Sequence, residues 1–217
     1  MSDEELQRLV EQNLVSTSVS KQTGLKVAQK IKEIADRENV KFMIAGGLAM
    51  HLYGFERATK DVDFISDKRI SLQVKRFLSF GGERYEIEIE GEKIDVDWII
   101  RRDKYKAFYD LALAETKLLT NEIQILTPEW LVILKYIAGR AKDRIDLIWL
   151  LQQPNSVNRK KVKDNIEKVV GKLGATGFLL GLQREFDLAD VMGLRGNGDE
   201  NESYISDEGE DYPNYNQ

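Results

Sequence analysis

Apolar residues recur along this chain with two different periods, and these divide it into predicted helices and strands. Spacings of three and four residues are typical of a helix with one buried face. Alternation of apolar and polar residues predicts strands. The helical spacing covers residues 3–15, 23–38, 48–53, 71–80, 103–114, 130–138, 145–151, a basic stretch after 154, and 175–192. Strands are predicted at 41–45 and 61–64, in a hairpin of 85–89 and 93–100, and in two short edge strands at 117–119 and 123–126.

The order of these elements predicts an α/β (α+β) protein with a small mixed β-sheet, flanking helices and a C-terminal helical region. We expect an N-terminal helix and loop over residues 1–22, a sheet-containing core over 23–127, and helices over 128–192. Residues 193–217 are rich in acids, Gly and Asn and lack the apolar residues needed for a core. We therefore expect an acidic, disordered tail.

Charge and composition exclude several classes of protein. The 217 residues carry a formal net charge of −5, but seven acids follow Gly196 without any Lys or Arg, and the rest is nearly neutral. Cysteine is absent, so disulfides and thiolate metal sites are excluded. The acidic N-terminus does not resemble a signal peptide, and no apolar run is long enough to cross a bilayer. We expect a cytoplasmic protein without membrane contact.

The most informative stretch begins with a predicted strand that ends in two glycines, Gly46 and Gly47, and continues to Asp61-Val62-Asp63. Alternate residues of a strand share a face, so the two carboxylates lie together and repel each other unless one is protonated or a cation binds between them. Mg²⁺ prefers such oxygen ligands and takes the remainder from water and phosphate. Glycines at a strand-to-helix turn allow a close approach of phosphate. The stretch predicts a phosphate-binding turn beside a metal site.

Two glycines after an apolar strand, thirteen residues and then Asp-Val-Asp resemble the signature of the nucleotidyltransferase superfamily, which has the polymerase-beta-like fold. The resemblance implies that residues 23–127 form the nucleotidyltransferase core and that Gly46 and Gly47 bind nucleotide phosphate. The family pattern usually has Ser at the position of Gly47, so one phosphate contact must be absent or come from elsewhere. Arg57 and Thr59, which precede the Asp pair, are candidate nucleotide-binding residues.

A third carboxylate on a neighbouring strand would complete the two-metal mechanism of this superfamily. The second hairpin strand offers two acids on one face, Asp95 and Asp97. We prefer Asp95, because similar sequences have an acid between apolar residues directly after the hairpin turn; Asp97 stays the alternative. The resemblance therefore implies two Mg²⁺ ions, or Mn²⁺, bound by Asp61, Asp63 and Asp95.

A second cluster of charges lies at the start of the predicted helix 145–151. Its members are Lys135, Arg140, Asp143 and Asp146. One interpretation is an ion-pair network that caps this apolar helix. The other follows from a resemblance to the downstream motif of AbiEii/AbiGii-type nucleotidyltransferases, which implies that Lys135 and Arg140 hold triphosphate. Lys135 and Asp143 would then be catalytic, and Asp146 would help to bind the nucleotide.

These resemblances imply an enzyme that moves a nucleoside monophosphate from an NTP to an acceptor hydroxyl and releases pyrophosphate. A toxin–antitoxin or phage-defence role is expected, with RNA such as a tRNA 3′ end as acceptor and a cognate antitoxin as partner. A basic run from Arg159 to Lys172 could contact RNA, or could simply be a solvated helix face. The alternatives are transfer to a small-molecule or protein hydroxyl, and a non-catalytic nucleotide-binding module.

Overall fold

The structure is a computed structural model that describes residues 18–196, with the exception of 116 and 119–122; the side chains of 117, 118 and 194–196 are not described. The predicted helix over 3–15 and the predicted tail beyond 196 lie outside the described residues. The elements in chain order are α1 (Lys21–Arg37), β1 (Phe42–Ile44), α2 (Gly46–Leu52), β2 (Asp61–Ser66), β3 (Arg76–Phe77), β4 (Gly82–Ile89), β5 (Glu92–Ile99), α3 (Lys106–Ala114), β6 (Lys117–Leu118), β7 (Gln124–Ile125), α4 (Pro128–Ala138), α5 (Ala141–Gln152) and α6 (Arg159–Gly196).

The strands form one mixed sheet in the order β3-β4-β5-β2-β1-β7-β6. The pairs β2–β5 and β1–β7 are parallel, and the other neighbours are antiparallel. This topology confirms the predicted α/β class. Of the two short strands predicted at an edge, β6 lies there, but β7 lies inside the sheet between β1 and β6 because it also pairs with β1.

One face of the central strands is apolar, and it fixes the direction of the acids. On β2 and β5 the residues Val62, Phe64, Val96 and Trp98 are fully buried. Phe64 and Trp98 pack against Phe42 of β1, with ring centroids 5.5 to 5.8 Å apart. Because neighbours on a strand point to opposite faces, this aromatic cluster turns the alternate positions of β2 and β5, which carry the acids, to the other face.

The predicted helix over 71–80 is wrong. Residues 71–75 form bends and irregular chain, and Arg76 and Phe77 form the edge strand β3, antiparallel to β4. The spacing of Leu72 and Val74 suits helix and strand nearly equally, and Phe77 is 69 % exposed, so no helical face is buried here. The open edge of β4 therefore decided the conformation, since pairing there satisfies backbone groups that a short helix would leave to water.

The C-terminal region consists of α4, α5 and α6, and the two ends of α4 have clear local causes. Thr127 caps α4 through its side chain, and Gly139 ends α4 in a left-handed conformation. The long α6 is interrupted at Gly171, whose φ of 71° and ψ of 164° are not helical. Although residues 145–151 are mostly apolar, helix α5 is not buried on every side, because Ile145 is exposed. Within the described residues, no helix has the length and apolarity to cross a membrane.

Two glycines in the hairpin region provide a test of the fold. Gly82 (φ 102°) and Gly91 (φ 86°) both have backbone conformations that disfavour a side chain. A Cβ at Gly82 would lie less than 3.0 Å from the Trp98 carbonyl oxygen, whereas one at Gly91 meets nothing within 4 Å. We expect Gly91→Ala to lower the free energy of unfolding by about 1 kcal/mol, and Gly82→Ala by about 3 kcal/mol or more because β5 must also move. Urea denaturation measures both; equal losses would contradict the close approach of β4 and β5.

Candidate active site

The turn between β1 and α2 is built around the side chain of Asp63. Gly46 has a φ of 55°, and a Cβ placed on it would lie less than 3.0 Å from three atoms of the Asp63 side chain. The N–H of Gly47 points at Asp63 Oδ2, at 3.4 Å. The Ala45 N–H donates to the Asp63 carbonyl oxygen at 2.9 Å. The glycines therefore make room for a carboxylate of β2, which is a narrower role than the predicted phosphate binding; the latter stays a prediction.

The absence of a serine at Gly47 has a steric explanation. A Cβ at Gly47 would lie less than 3.0 Å from Oγ1 and Cβ of Thr59. The Thr59 side chain is buried, and its hydroxyl lies within 3.2 Å of the Asp61 carbonyl oxygen. The Thr59 hydroxyl therefore lies close to the position that a side chain at residue 47 would occupy.

The parallel register of β2 and β5 places four acids side by side. Asp61 lies opposite Asp95, and Asp63 lies opposite Asp97. All four point to the face away from the aromatic cluster, so both hairpin candidates border the Asp pair, one beside each member. The sequence indicates that Asp95 and Asp97 share a face. Whether each of them lies beside Asp61 or beside Asp63 depends on the register between two distant strands, which the sequence does not show.

Arg84 of β4 was not among the predicted site residues, yet it contacts three of these acids. It lies opposite Asp97 in the β4–β5 register. Its guanidinium donates to Asp97 at 2.5 and 2.7 Å, to Asp61 at 2.7 Å and to Asp95 at 3.1 Å. Hydrogen bonds to Asp97 and the charges of all three acids raise the pKa of Arg84. Counting outward from the hairpin turn pairs Arg84 with Asp97, so the sequence did carry a signal for this contact.

Asp63 is the acid without a cationic partner. Among the described residues, no Lys or Arg lies within ion-pair distance of its carboxylate. Burial, and then the charges of Asp61 and Asp97, raise the pKa of Asp63 from 3.8 to about 6; Lys135 and the Gly47 N–H offset this in part. The fold therefore keeps an under-compensated carboxylate at the base of the site.

The downstream charges form an ion-pair network around two buried acids. The ammonium of Lys135, itself only 6 % exposed, lies 3.0 Å from Asp143 and 2.5 Å from Asp146. Arg140 donates to both oxygens of Asp143 at 2.5 and 3.1 Å, but its side chain is 60 % exposed. Burial alone would raise the pKa of Asp143, but Arg140 and Lys135 lower it below its usual range. The network that the sequence offered as one interpretation therefore exists, and it leaves Arg140 accessible.

Arg57 joins the opening segment to this network. Its guanidinium holds both oxygens of Asp146, at 2.6 and 2.7 Å, in the paired geometry that arginine favours with carboxylates. Burial disfavours the charge on Arg57, but Asp146, and more weakly Asp63 and Asp143, raise its pKa. The only histidine, His51, contacts the Arg57 carbonyl oxygen through its ring Nε2. Arg57 and Asp146, both predicted to bind nucleotide, thus bind each other.

One cleft brings the two clusters together. Its lining includes Ala45, Gly46, Asp63, Tyr109, Lys135 and Arg140. Gly46 and Asp63 come from the first cluster, and Lys135 and Arg140 come from the second. The hydrogen bond to Asp143 chiefly raises the pKa of Arg140, and the charges of Asp63 and Asp61 add to it, which places this guanidinium within electrostatic range of the Asp pair. The cleft therefore contains Asp63 of the first cluster and the exposed Arg140 of the second.

The pair Asp61 and Asp63 fits a hard divalent cation. Its ligands would be carboxylate oxygens, the type that Mg²⁺ prefers. The close approach of Gly46 to the Asp63 carboxylate leaves no room for a side chain at position 46. Among the described residues, no group of three or more acidic or histidine side chains is placed to hold a metal ion. An ion at this pair would therefore take its remaining ligands from phosphate and water.

The basic run of α6 takes no part in the cleft, and most of its cations have partners in the chain. Arg159 pairs with Asp190, and Lys160 pairs with Asp164. Lys161 and Lys168 both pair with Glu115. These ion pairs favour the interpretation of the run as a structural and solvated face.

The raised pKa of Asp63 predicts a pH-dependent cost in stability. A folded pKa of about 6 against an ordinary 3.8 means that the folded state holds this proton more tightly, so the free energy of unfolding falls as the pH rises from about 4 through 6 and stays lower above that. We expect Asp63→Asn to raise that free energy by about 2 kcal/mol at pH 8 without divalent ions, and to change it little near pH 4. Urea denaturation at both pH values measures the effect.

The matched control is Asp110→Asn, on the exposed surface of α3, where Asp110 pairs with Lys106. We expect a change of less than about 0.5 kcal/mol at either pH. A loss of stability in Asp63→Asn at pH 8 would mean that the carboxylate is compensated after all.

Lys135 and Arg140 were predicted together as triphosphate-binding residues, but in the downstream network Lys135 is buried and Arg140 is exposed. Lys135→Met leaves two buried carboxylates without their shared ammonium, so we expect a loss of about 3 to 5 kcal/mol in the free energy of unfolding. Arg140→Gln removes an exposed partner, and we expect a loss of less than about 1 kcal/mol. Thermal denaturation of both variants measures the difference, and equal melting temperatures would contradict the buried role of Lys135.

Comparison with solved structures gives distant similarities. An antigenic nucleotidyltransferase-like protein from Paracoccidioides brasiliensis is 18 % identical, with 76 % of this chain and 92 % of that chain covered and a TM-score of 0.40. A candidate nucleotidyltransferase from Thermotoga maritima is 21 % identical, with 59 % and 93 % covered and a TM-score of 0.38. The antibiotic-resistance factor ANT(2'')-Ia is 15 % identical, with 82 % and 97 % covered and a TM-score of 0.36.

No curated protein matches the sequence. A protein-family match, in contrast, spans residues 23–164, which is well over half of the chain and includes every residue of both clusters. The chain therefore belongs to the nucleotidyltransferase family described as "Nucleotidyltransferase of unknown function (DUF6036)".

Proposed function

We propose that this nucleotidyltransferase binds an NTP with a divalent cation at Asp61 and Asp63 and transfers the nucleoside monophosphate to an acceptor hydroxyl. The main observation behind the proposal is that the Asp63 carboxylate is not compensated by an ion pair in the described part of the chain, unlike the acids beside it. Its neighbours on the sheet have cationic partners, whereas Asp63 has none within ion-pair distance among the described residues. It is therefore the group that requires a cation from outside the chain, and it lines the cleft that holds Arg140.

Asp61 and Asp63 would hold Mg²⁺, or Mn²⁺ with the same oxygen ligands. The bound ion would neutralise triphosphate charge and polarise the reacting phosphate. Whether Asp95 joins this pair as a ligand depends on Arg84, which already binds Asp95.

Residues of the chain would bind the phosphates during the transfer. In the transfer, the acceptor hydroxyl gives up its proton to solvent and its oxygen forms a bond to the α-phosphorus, while the bond to the oxygen that bridges the α- and β-phosphorus breaks and pyrophosphate leaves. The exposed face of Arg140 is placed to hold the negative charge of the leaving phosphates. Thr59 offers the hydroxyl that the family pattern places at Gly47, and Gly46 and Gly47 keep the backbone close to the phosphates.

Lys135, Asp143, Asp146 and Arg57 have a supporting part in this proposal. Their mutual ion pairs fix the wall of the cleft from which Arg140 projects. Lys135 also lines the cleft, so its charge acts on bound phosphate as well as on its two partners.

The resemblance of the downstream motif to AbiEii/AbiGii-type enzymes supports an RNA acceptor, such as a tRNA 3′ hydroxyl, and a toxin–antitoxin or phage-defence role with an antitoxin partner. The ion-paired basic run of α6 adds nothing to that support. Small-molecule and protein hydroxyls are the competing acceptors. A non-catalytic nucleotide-binding module is disfavoured because the family to which the chain belongs is described as a nucleotidyltransferase family.

The direct test is incubation of the full chain with each α-labelled NTP, Mg²⁺ and total RNA, followed by separation of RNA, protein and small molecules. We expect label in RNA and its loss by at least 100-fold in both Asp61→Asn and Asp63→Asn, because each removes one of two ligand carboxylates. The control Asp110→Asn should retain full activity. Label in protein or in a small molecule would redirect the acceptor, and retained activity in either site variant would refute the metal-binding pair.

A further inference from the structure

Arg84 lies where the hairpin acids would otherwise meet a second cation. It projects from β4 between three carboxylates, and its side chain is only 15 % exposed. Its Nε donates to Asp97 Oδ1 at 2.5 Å, and its Nη2 lies 2.7 Å from both Asp97 Oδ2 and Asp61 Oδ2. Its Nη1 lies 3.1 Å from Asp95 Oδ2. One guanidinium thus binds the acids on both sides of the β2–β5 boundary.

Every carboxylate oxygen of the two hairpin acids already accepts a hydrogen bond from a cationic side chain. Both oxygens of Asp97 accept from Arg84. Asp95 uses its Oδ2 for Arg84 and its Oδ1 for Lys75, whose ammonium lies at 2.6 Å. A divalent ion bound to either acid at the usual 2.0–2.1 Å would stand in direct contact distance of a fixed positive charge. The hairpin side of the site is therefore already neutralised by side chains of this chain.

The acids of β2, in contrast, keep carboxylate oxygens that accept no hydrogen bond from a cation among the described contacts. Asp63 accepts only a long hydrogen bond from the Gly47 N–H among the described contacts. Asp61 uses its Oδ2 for Arg84, and no described contact involves its Oδ1. Free carboxylate oxygens that can meet an ion are therefore confined to Asp61 and Asp63, in agreement with the lack of a three-acid group among the described residues.

We propose that the Arg84 guanidinium takes the place of a second cation, so that the site binds one divalent ion per nucleotide, at Asp61 and Asp63, instead of two. This inference rests on the proposed function and deepens it. Arg84 contributes the fixed positive charge on the hairpin side, and Asp95 and Asp97 act as positioning residues that hold it. The prediction from sequence, with Asp95 as a ligand of a second ion, is the direct competitor.

The test counts ions and does not depend on turnover. The full chain is brought to equilibrium by dialysis with Mn²⁺ and an α,β-methylene NTP analogue, and protein-bound Mn²⁺ and protein-bound nucleotide are both measured. We expect a ratio of one in the wild-type chain. A ratio of two would overturn the inference but leave the proposed function standing, whereas no bound Mn²⁺ at all would overturn both.

Variants then test whether Arg84 is the cause. Arg84→Gln removes the charge, and we expect the ratio to rise from one to two. The control is Arg76→Gln, on the neighbouring strand β3 in register with Arg84, which should stay at one. A folded Arg84→Gln chain, verified by circular dichroism, that still binds one ion would overturn the inference.

Asp97→Asn supplies a second line of evidence that does not require the loss of the arginine. A positioning residue predicts an unchanged ratio and a Mn²⁺ affinity within about twofold of the wild-type chain. A tenfold or larger loss of Mn²⁺ affinity would make Asp97 a metal ligand and overturn the inference.

Discussion

Repulsion between carboxylates on one face of two parallel strands is the constraint around which this site is arranged. The aromatic packing of Phe64 and Trp98 on the opposite face fixes the direction of every acid on β2 and β5. The acids cannot turn away without exposing that core, so they must be compensated where they stand. Arg84 and Lys75 compensate those of the hairpin, and Asp63 is left for a ligand.

The need to compensate carboxylates also explains the second cluster, in which buried ion pairs stabilise the fold and one cation, Arg140, stays accessible. Asp143 and Asp146 are fully buried in the described structure, and a buried carboxylate is costly unless it is paired and hydrogen-bonded. Lys135 and Arg57 meet that requirement from inside the protein. Arg140 adds a second bond to Asp143 from the surface and still presents a free face to the cleft. The site thus gains an accessible positive charge supported by a rigid buried network.

Much of the fold follows from local patterns whose physical basis is short in range. The hairpin follows from alternation around Glu90 and Gly91, both of which have positive φ, and α4 follows from Thr127 at its start and Gly139 at its end. The Asp pair was predicted to share one face because side chains alternate between the two faces of a strand. The glycine turn was predicted from the two glycines that follow an apolar strand. The helix predicted over 71–80 failed because its short apolar pattern suits both conformations, and an unpaired edge of β4 decided between them.

The sequence by itself determined that two acids share a face, that glycines precede them, and that a second charged cluster lies downstream. Local patterns also carried signals for Arg84 beside Asp97 and Arg140 beside Asp143, but only the tertiary structure decided which charges meet between elements that are distant in sequence. The register of β2 on β5 and of β4 on β5 set Arg84 among three acids, and the tertiary placement of α4 brought Lys135 into one cleft with Asp63. Such partnerships join residues that are distant in sequence, and pairing between charges depends on ångström distances that no local pattern specifies.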